Sequence, residues 1–328
     1  MKRSILLVLV AATAAAGQLR EVGYLKASNA KANDHFGNGG TLEGKGVALS
    51  GDGKTLAVSA PYESSGAKGV NGNQNDTSVY SSGAVYVFVN RNGKWVQQAY
   101  LKASNPGLSY RFGHELSLSQ DGNTLAVSSH FEASAAKGID GDQNDHSIPQ
   151  AGAVYVFARS GETWRQQAYI KASNTGEAGK GDQPSKGDQF GFSVAVSADG
   201  NTLAAGAISE DSGAKGINGD QNDNSQASSG AVYVFTRSGS TWSQQAYIKA
   251  SNTDANDLFG YAVGLSADGN TLAASAYDED SSAREINGVM DKKRRGAGAI
   301  YVFTRTGAEW KQTAYLKASN AEAGDSLG

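Results

Sequence analysis

The amino-acid sequence predicts an all-β chain and, within that class, a β-propeller of four-stranded antiparallel blades. A unit of about 70 residues occurs four times, as in repeat architectures. Glycine accounts for 42 of the 328 residues, which is typical of short strands joined by tight turns. No segment shows sustained helical periodicity. Because one unit would bury too little surface to fold alone, we favour a propeller over a row of separate β-sandwich domains.

Four short strings recur in the same order and define the repeat. The string Tyr-(Leu/Ile)-Lys-Ala-Ser-Asn begins at Tyr24, Tyr100, Tyr169, Tyr247 and Tyr315. Phe-Gly begins at Phe36, Phe112, Phe190 and Phe259. Asp-Gly-(Asn/Lys)-Thr-Leu-Ala begins at Asp52, Asp121, Asp199 and Asp268. Gly-Ala-(Val/Ile)-Tyr-Val-Phe begins at Gly83, Gly152, Gly230 and Gly298, and one tryptophan follows it in each unit, at Trp95, Trp164, Trp242 and Trp310.

Each unit is predicted to contain four strands, as the third unit illustrates. Residues 190–197 alternate in polarity and end at an Asp-Gly turn, which is a hairpin signal. Residues 202–207 are small, and residues 232–235 are apolar on both faces, as in a sheet packed between two other sheets. A fourth strand runs from Trp242 to Lys249. Small residues early and large ones late predict a wedge-shaped blade.

The repeat strings place four blades at residues 36–105, 106–174, 175–252 and 253–320. Residues 17–35 are predicted to supply the outer strand of a closing blade, and residues 321–328 the start of a fifth repeat. A basic pair, a short apolar stretch and Ala14-Ala15-Ala16 predict a signal peptide over residues 1–16. We therefore expect a secreted, extracellular protein, either a bacterial exoprotein or one attached to a cell surface. With no cysteine, it cannot use disulfides.

The Phe-Gly…Ala-Pro pattern, seen as Phe36-Gly37 through Ala60-Pro61, resembles the FG-GAP repeat of integrin α-subunit propellers and their bacterial relatives. Only the first unit keeps Ala-Pro; the others carry Ser129-His130, Ala207-Ile208 and Ala276-Tyr277. The resemblance implies a ring of roughly seven blades, of which this chain would be a fragment. It also implies that the loops between second and third strands face partners. The integrin-type calcium loop between first and second strands is replaced here by the tight Asp-Gly turn.

The loops between second and third strands are rich in Asn and Asp. In three of them oxygen-bearing side chains fill positions one, three, five and six: Asn71, Asn73, Asn75 and Asp76; Asp140, Asp142, Asn144 and Asp145; Asn218, Asp220, Asn222 and Asp223. Such oxygens are the ligands that Ca²⁺ prefers, so one hypothesis is a calcium site in each loop. The alternative is that these side chains bond their own backbone as Asx turns.

The fourth loop departs from this pattern. It reads Asn287-Gly288-Val289-Met290-Asp291 and continues into the basic run 292–295. We expect no metal site there. The basic run is either a solvated loop or an anion-binding patch.

No catalytic motif is present, and we expect that the protein is not an enzyme. The chain lacks Gly-x-Ser-x-Gly, His-Glu-x-x-His and any cysteine nucleophile. Its histidines occupy unrelated repeat positions, and each is predicted to be a surface or turn residue: His35, His114, His130 and His146. The Tyr-x-Lys pairs, such as Tyr100 and Lys102, are expected either to cover the blade edge or to contact glycans.

These observations favour an extracellular binding or adhesion propeller whose partner is a protein or glycan at a cell surface or matrix. The formal charge of −3 gives no reason to expect nucleic acid, and beyond the signal peptide no stretch is apolar enough to span a membrane. A structural spacer within a longer exoprotein is the first alternative. A carbohydrate-binding propeller or an accessory module of a secreted hydrolase is the second.

Overall fold

The computed structural model of the protein describes residues 21, 23–38, 44–176 and 187–328, so the predicted signal peptide lies outside the described residues. Blade 1 contains β1 (Val47–Leu49), β2 (Thr55–Ala60), β3 (Ala84–Arg91) and β4 (Lys94–Leu101). Blade 2 contains β5 (Leu116–Leu118), β6 (Thr124–Ser129), β7 (Ala153–Ser160) and β8 (Thr163–Ile170). Blade 3 contains β9 (Phe190–Val196), β10 (Thr202–Ala207), β11 (Ala231–Ser238) and β12 (Thr241–Ile248). Blade 4 contains β13 (Phe259–Leu265), β14 (Thr271–Ala276), β15 (Ala299–Thr306) and β16 (Glu309–Leu316).

Within each blade the strands pair antiparallel in chain order, and the described residues form no helix. The predicted fold, an all-β chain with four-stranded propeller blades, is confirmed. The first strands of successive blades contact one another, which makes them the inner strands and the fourth strands the outer ones. The strands of every blade lie within the residue ranges expected from the repeat strings.

The Asp-Gly turn ends the first strand of every blade in the same way. In blade 1 Asp52 accepts a hydrogen bond from the backbone N–H of Lys54 at 2.9 Å and one from the Ser50 hydroxyl at 2.6 Å. Gly53 follows with φ +68°, a left-handed conformation that costs glycine least. These turns also join the blades, because backbone bonds run from Gly51 to Gln120, from Gln120 to Ala198 and from Ala198 to Ala267.

The hydrophobic core consists of layers between adjacent blades. One such layer combines Val154 and Ile170 of blade 2 with Leu203 and Tyr233 of blade 3, all fully buried. The second strand of blades 1 to 3 is buried along its whole length because its small residues allow neighbouring sheets to approach. The third strand is apolar on both faces because it also packs between two neighbouring sheets.

A β-bulge in the fourth strand provides a polar bond between blades. In blade 2 the pairing moves from Val156–Ala168 to Phe157–Gln166, which leaves Gln167 without an opposite residue. Its side-chain oxygen accepts bonds from Trp242 Nε1 at 2.9 Å and from Arg237 Nη1 at 3.1 Å, both in blade 3. Bulges commonly redirect a side chain in this way. Gln98 and Gln245 do the same at the other two blade junctions.

The segment expected to form an N-terminal outer strand contains no strand within the described residues 23–38. Tyr24, which would lie in that strand, is 57% exposed. Asn29 nevertheless packs on blade 1, where its Nδ2 donates to Glu63 at 3.2 Å and its side-chain oxygen Oδ1 accepts a hydrogen bond from the Tyr86 hydroxyl. The segment also packs on blade 1 through Ala27, which joins the core cluster of Tyr86 and Phe88, and through His35, whose ring lies 4.5 Å from that of Tyr62.

Candidate recognition surface

The loops between second and third strands of all four blades lie at one end of the molecule. In a sheet whose strands are antiparallel and in chain order, the connections from second to third strand emerge opposite the Asp-Gly turns. The Asp-Gly turns are bonded to one another from blade to blade. The long loops, residues 61–83, 130–152, 208–230 and 277–298, are therefore neighbours, and we call this the loop end.

The first Asx position of each loop is bonded to the outer strand. In blade 2 the Asp140 N–H donates to the Tyr169 carbonyl at 2.8 Å, and Asp140 Oδ1 accepts the Tyr169 N–H at 2.9 Å. The same reciprocal pair occurs at Asn71 with Tyr100 and at Asn218 with Tyr247. Asp140 is left-handed, with φ +54°, a conformation that Asn and Asp tolerate well. One oxygen at this position is thus engaged by the backbone.

The third and sixth positions form Asx turns. In blade 2 Asp142 Oδ1 accepts the Asn144 N–H at 2.9 Å, and Asp145 Oδ1 accepts the Ser147 N–H at 2.9 Å. Asp145 Oδ2 accepts the Ala135 N–H, also at 2.9 Å. The other two loops repeat the turns at Asn73, Asp76, Asp220 and Asp223.

The fifth position points outward. Asn75, Asn144 and Asn222 are exposed at the loop tips.

The hydrogen bond of the Ser147 hydroxyl lowers the pKa of Asp145. Among the described residues no group of three or more histidine, aspartate or glutamate side chains is arranged to hold a metal ion. The calcium hypothesis for these loops stays a prediction.

Each loop also docks on the blade before it through the end of the repeat string. Asn105 Nδ2 donates to the Gln143 carbonyl at 3.2 Å and to Glu132 at 2.9 Å, and its own oxygen accepts the Tyr155 hydroxyl at 2.6 Å. The Ser104 hydroxyl bonds the Gln143 side chain. Blades 1 and 2 are therefore joined at the loop end by side chains of the Ser-Asn pair.

A buried ion pair lies beneath each loop. The side chains of the two partners are at most 2% exposed, and the Nζ–Oε2 distance is 2.6 to 2.8 Å: Lys102–Glu63, Lys171–Glu132, Lys249–Glu210 and Lys317–Glu279. Burial lowers the pKa of Lys171, although Glu132 opposes that shift. The tyrosine two residues before each of these four lysines is also fully buried. The Tyr-x-Lys pairs therefore do not lie on an exposed blade edge, and their interpretation as glycan contacts is wrong.

The glutamates of these ion pairs were missed in the sequence analysis. They lie three residues after the second strand in every unit, outside the strings that defined the repeat. The sequence did contain a signal for them, because a glutamate occupies the same position in all four units. A lysine predicted to lie on a strand between two sheets requires a buried partner.

A row of aromatic side chains crosses the inner strands at the loop end. His130 follows β6 and packs on Phe131 with ring centroids 3.9 Å apart and on Phe192 of blade 3 at 5.8 Å. Phe192 packs on Tyr261 of blade 4 at 5.1 Å, and Tyr261 stacks on Tyr277 at 4.4 Å. We call this row the aromatic belt.

Arg111 extends the belt toward blade 1. Its guanidinium carbon lies 4.8 Å from the ring centre of Phe131 and 4.9 Å from that of Tyr62, so the cation is placed between two rings. Arg111 Nε is buried and has no hydrogen-bond partner among the described residues. The arginine forms no ion pair within the described part of the chain.

Two of the four histidines do not lie where the sequence predicted. His114 and His130 are 0% and 2% exposed, and their rings are 3.8 Å apart. Burial, together with the charge of Arg111, lowers the pKa of His114 to about 4. Burial also holds the pKa of His130 well below its usual value. His35 and His146 are exposed, as predicted. The two rings pack on each other within blade 2 and on Phe192 of blade 3, and neither contact left a pattern in the sequence.

The basic run of blade 4 is largely engaged in internal contacts. Lys292 pairs with Asp254, Lys293 pairs with Asp291 at 3.2 Å, and Arg294 donates to the Ala321 carbonyl. The Lys292 and Lys293 side chains are 71% and 79% exposed. The run is therefore a solvated loop with surface ion pairs.

Solved structures with a similar path of the chain include a putative 6-phosphogluconolactonase from Bacteroides uniformis, at 12% identity and a TM-score of 0.43. The match covers 84% of this chain and 55% of the other. A hypothetical selenium-binding protein from Sulfolobus tokodaii matches at 8% identity and a TM-score of 0.42, over 82% of this chain and 54% of the other. The chain thus spans about half the length of these structures. No curated protein matches it.

The described residues include no helix long and apolar enough to cross a membrane. One family model matches the sequence, that of the FG-GAP repeat, over residues 242–303. The matched segment begins in β12 and ends in β15, so it covers the junction between blades 3 and 4. The chain therefore carries an FG-GAP repeat within a set of four propeller blades.

Proposed function

We propose that the protein is an extracellular binding module of adhesion type that uses the loop end as its recognition surface. The observation that supports this most directly is the repeated fixation of the loops. Three loops place exposed asparagines at their tips, while the neighbouring Asx oxygens bond the loop backbone. A surface whose loops are ordered before binding loses less conformational entropy when it binds. FG-GAP repeats are typical of extracellular proteins, which agrees with this proposal.

The test compares two triple variants in binding to immobilised collagen, fibronectin and mucin, measured by surface plasmon resonance. Asn75→Lys, Asn144→Lys and Asn222→Lys change the exposed loop tips, where Asn222 Nδ2 donates to Asp220 Oδ1 of its own loop at 3.3 Å. Thr163→Lys, Ser240→Lys and Ala308→Lys add the same charge to exposed positions at the opposite end.

We expect the loop variant to lose at least about 10-fold in affinity for a probe that the unmodified protein binds, and the matched variant to change less than about twofold. Equal binding by both variants would refute a recognition role for the loop end. Absence of binding to all three probes would favour a structural spacer.

Calcium stiffening of the same loops is the second part of the proposal. The loop of blade 2 offers three carboxylates, Asp140, Asp142 and Asp145, and is the best candidate. In about 2 mM Ca²⁺, a site with a Kd of about 0.1–1 mM adds about 0.6–1.8 kcal/mol to the free energy of unfolding. Thermal melting in calcium, magnesium and EDTA measures it.

A rise of several degrees in calcium alone, lost in the triple variant Asp140→Asn, Asp142→Asn and Asp145→Asn, would support metal binding. Equal melting temperatures in all three buffers would mean that Asx hydrogen bonds alone hold the loops.

A further inference from the structure

The four units differ from one another where their inner strands reach the loop end. The residue after Phe-Gly is Asn38, His114, Phe192 or Tyr261, depending on the blade. The residue after the second strand also varies, from Pro61 through His130 and Ile208 to Tyr277. The strings that build the blades are nearly the same in all units, whereas these two positions differ from blade to blade. Four of these variable residues, His130, Phe192, Tyr261 and Tyr277, belong to the aromatic belt.

The belt has the composition of a ligand site. Tyr62, Phe131, Tyr261 and Tyr277 are half-buried, so each side chain is partly accessible to a ligand. Small-molecule sites are typically lined by aromatic side chains with a few convergent polar groups.

Two nitrogens in the belt region, Arg111 Nε and His130 Nδ1, have no hydrogen-bond partner among the described residues. Arg111 brings a positive charge that no carboxylate neutralises among the described residues, and its Nε has no acceptor there. His130 is 2% exposed, and its Nδ1 likewise has no hydrogen-bond partner within the described ranges. Buried polar atoms in folded proteins normally have partners, so the unpartnered N–H of Arg111 Nε indicates a ligand that supplies an acceptor. A carboxylate is the acceptor that best matches a guanidinium.

A polar region continues from the blade 4 end of the belt. Asp278, the residue after Tyr277, lines a cavity of about 530 Å³ together with Asn256, Asp280 and Arg295. Carboxylate and amide oxygens of this kind accept bonds from hydroxyl groups. A ligand with hydroxyls as well as a carboxylate would use both regions.

We propose that the aromatic belt binds an acidic sugar, with the apolar face of a pyranose ring against the half-buried aromatic side chains and its carboxylate on Arg111. The variation between blades fits this assignment, because a single asymmetric ligand needs different side chains from each blade. The site is separate from the loop tips. The result of the titration described below is therefore independent of the result of the adhesion test.

The experiment is isothermal titration of the full secreted chain with trigalacturonate, with maltotriose as the neutral sugar and benzoate as the aromatic acid. We expect trigalacturonate to bind at least about 10-fold more tightly than either comparison ligand. Arg111→Gln should weaken that binding at least about 10-fold, whereas Arg91→Gln should leave it unchanged. Arg91 is a matched control because it is 51% exposed and lies at the opposite end of blade 1.

A second measurement does not depend on the folding of a variant. Binding of trigalacturonate to the unmodified protein should weaken as NaCl rises from about 0.05 to 0.5 M, because salt screens the carboxylate–guanidinium attraction. No binding of trigalacturonate, or equal binding of maltotriose, would overturn the proposal. Tighter binding of benzoate would also overturn it, since the belt would then select an aromatic acid rather than a sugar.

Discussion

At the scale of single residues, each blade buries a lysine ammonium against a glutamate carboxylate. In blade 2 the pair is completely inaccessible, and Glu132 also accepts bonds from Asn105 Nδ2 at 2.9 Å and the Ser134 N–H at 3.1 Å. The carboxylate thus organises the end of the second strand and the junction with blade 1. Removing one partner leaves the other charge in a low-dielectric core.

We expect Lys171→Met to lower the free energy of unfolding by about 3–5 kcal/mol, because it leaves Glu132 buried and unpaired. Adding Glu132→Gln should restore part of that loss, since the amide still bonds Asn105 and carries no charge. Urea denaturation measures both variants. A double variant that is less stable than the single one would contradict this account of the pair.

A buried aspartate gives the protein a pH-dependent stability. Burial raises the pKa of Asp257 from 3.8 to about 7. Because the folded state favours the protonated carboxyl, this contribution to stability is complete below the unfolded pKa near 4. It is lost as the pH rises through 7.

We expect Asp257→Asn to flatten the decrease in melting temperature between pH 4 and 8 relative to the unmodified protein. Asp325→Asn is the matched control, since Asp325 occupies the same repeat position but is exposed. Identical pH profiles for Asp257→Asn and the unmodified protein would show that Asp257 titrates normally.

At the scale of the strands, the bulge in each outer strand determines how blades join. Gln98, Gln167 and Gln245 occupy the bulge of blades 1 to 3, and Thr313 occupies it in blade 4. The glutamines accept the indole N–H of the next blade, whereas the Thr313 hydroxyl donates to the Val302 carbonyl of its own blade at 3.3 Å. The same backbone irregularity therefore has different energetic consequences in different blades.

Gln167→Ala should lower the free energy of unfolding by about 1–2 kcal/mol, because Trp242 Nε1 and Arg237 lose their shared acceptor. Thr313→Ala, at the equivalent exposed position, should cost less than about 0.5 kcal/mol. Guanidinium denaturation of the two variants gives the comparison. Equal losses would mean that the bulge side chain adds nothing to the junction.

At the scale of the whole molecule, the order of the repeat strings was sufficient to predict the blades. Asp199-Gly200 marked the first hairpin, and the apolar run after Gly230 marked the third strand. The sequence also located the Asx loops and offered Asx turns as one explanation. It could not reveal the belt, because His130 and Phe192 meet only when blades 2 and 3 pack together.

The central claim is that side chain–backbone bonds hold the loops in one conformation and so prepare the loop end for recognition. Amide hydrogen exchange in EDTA tests it most directly at Asn144, Ser147 and Ala135, whose N–H groups donate to Asp142 and Asp145. We expect these amides to exchange at least about 100-fold more slowly than in an unstructured chain. Exchange at the unstructured rate in EDTA would contradict the claim, because the loops would then have no fixed conformation of their own.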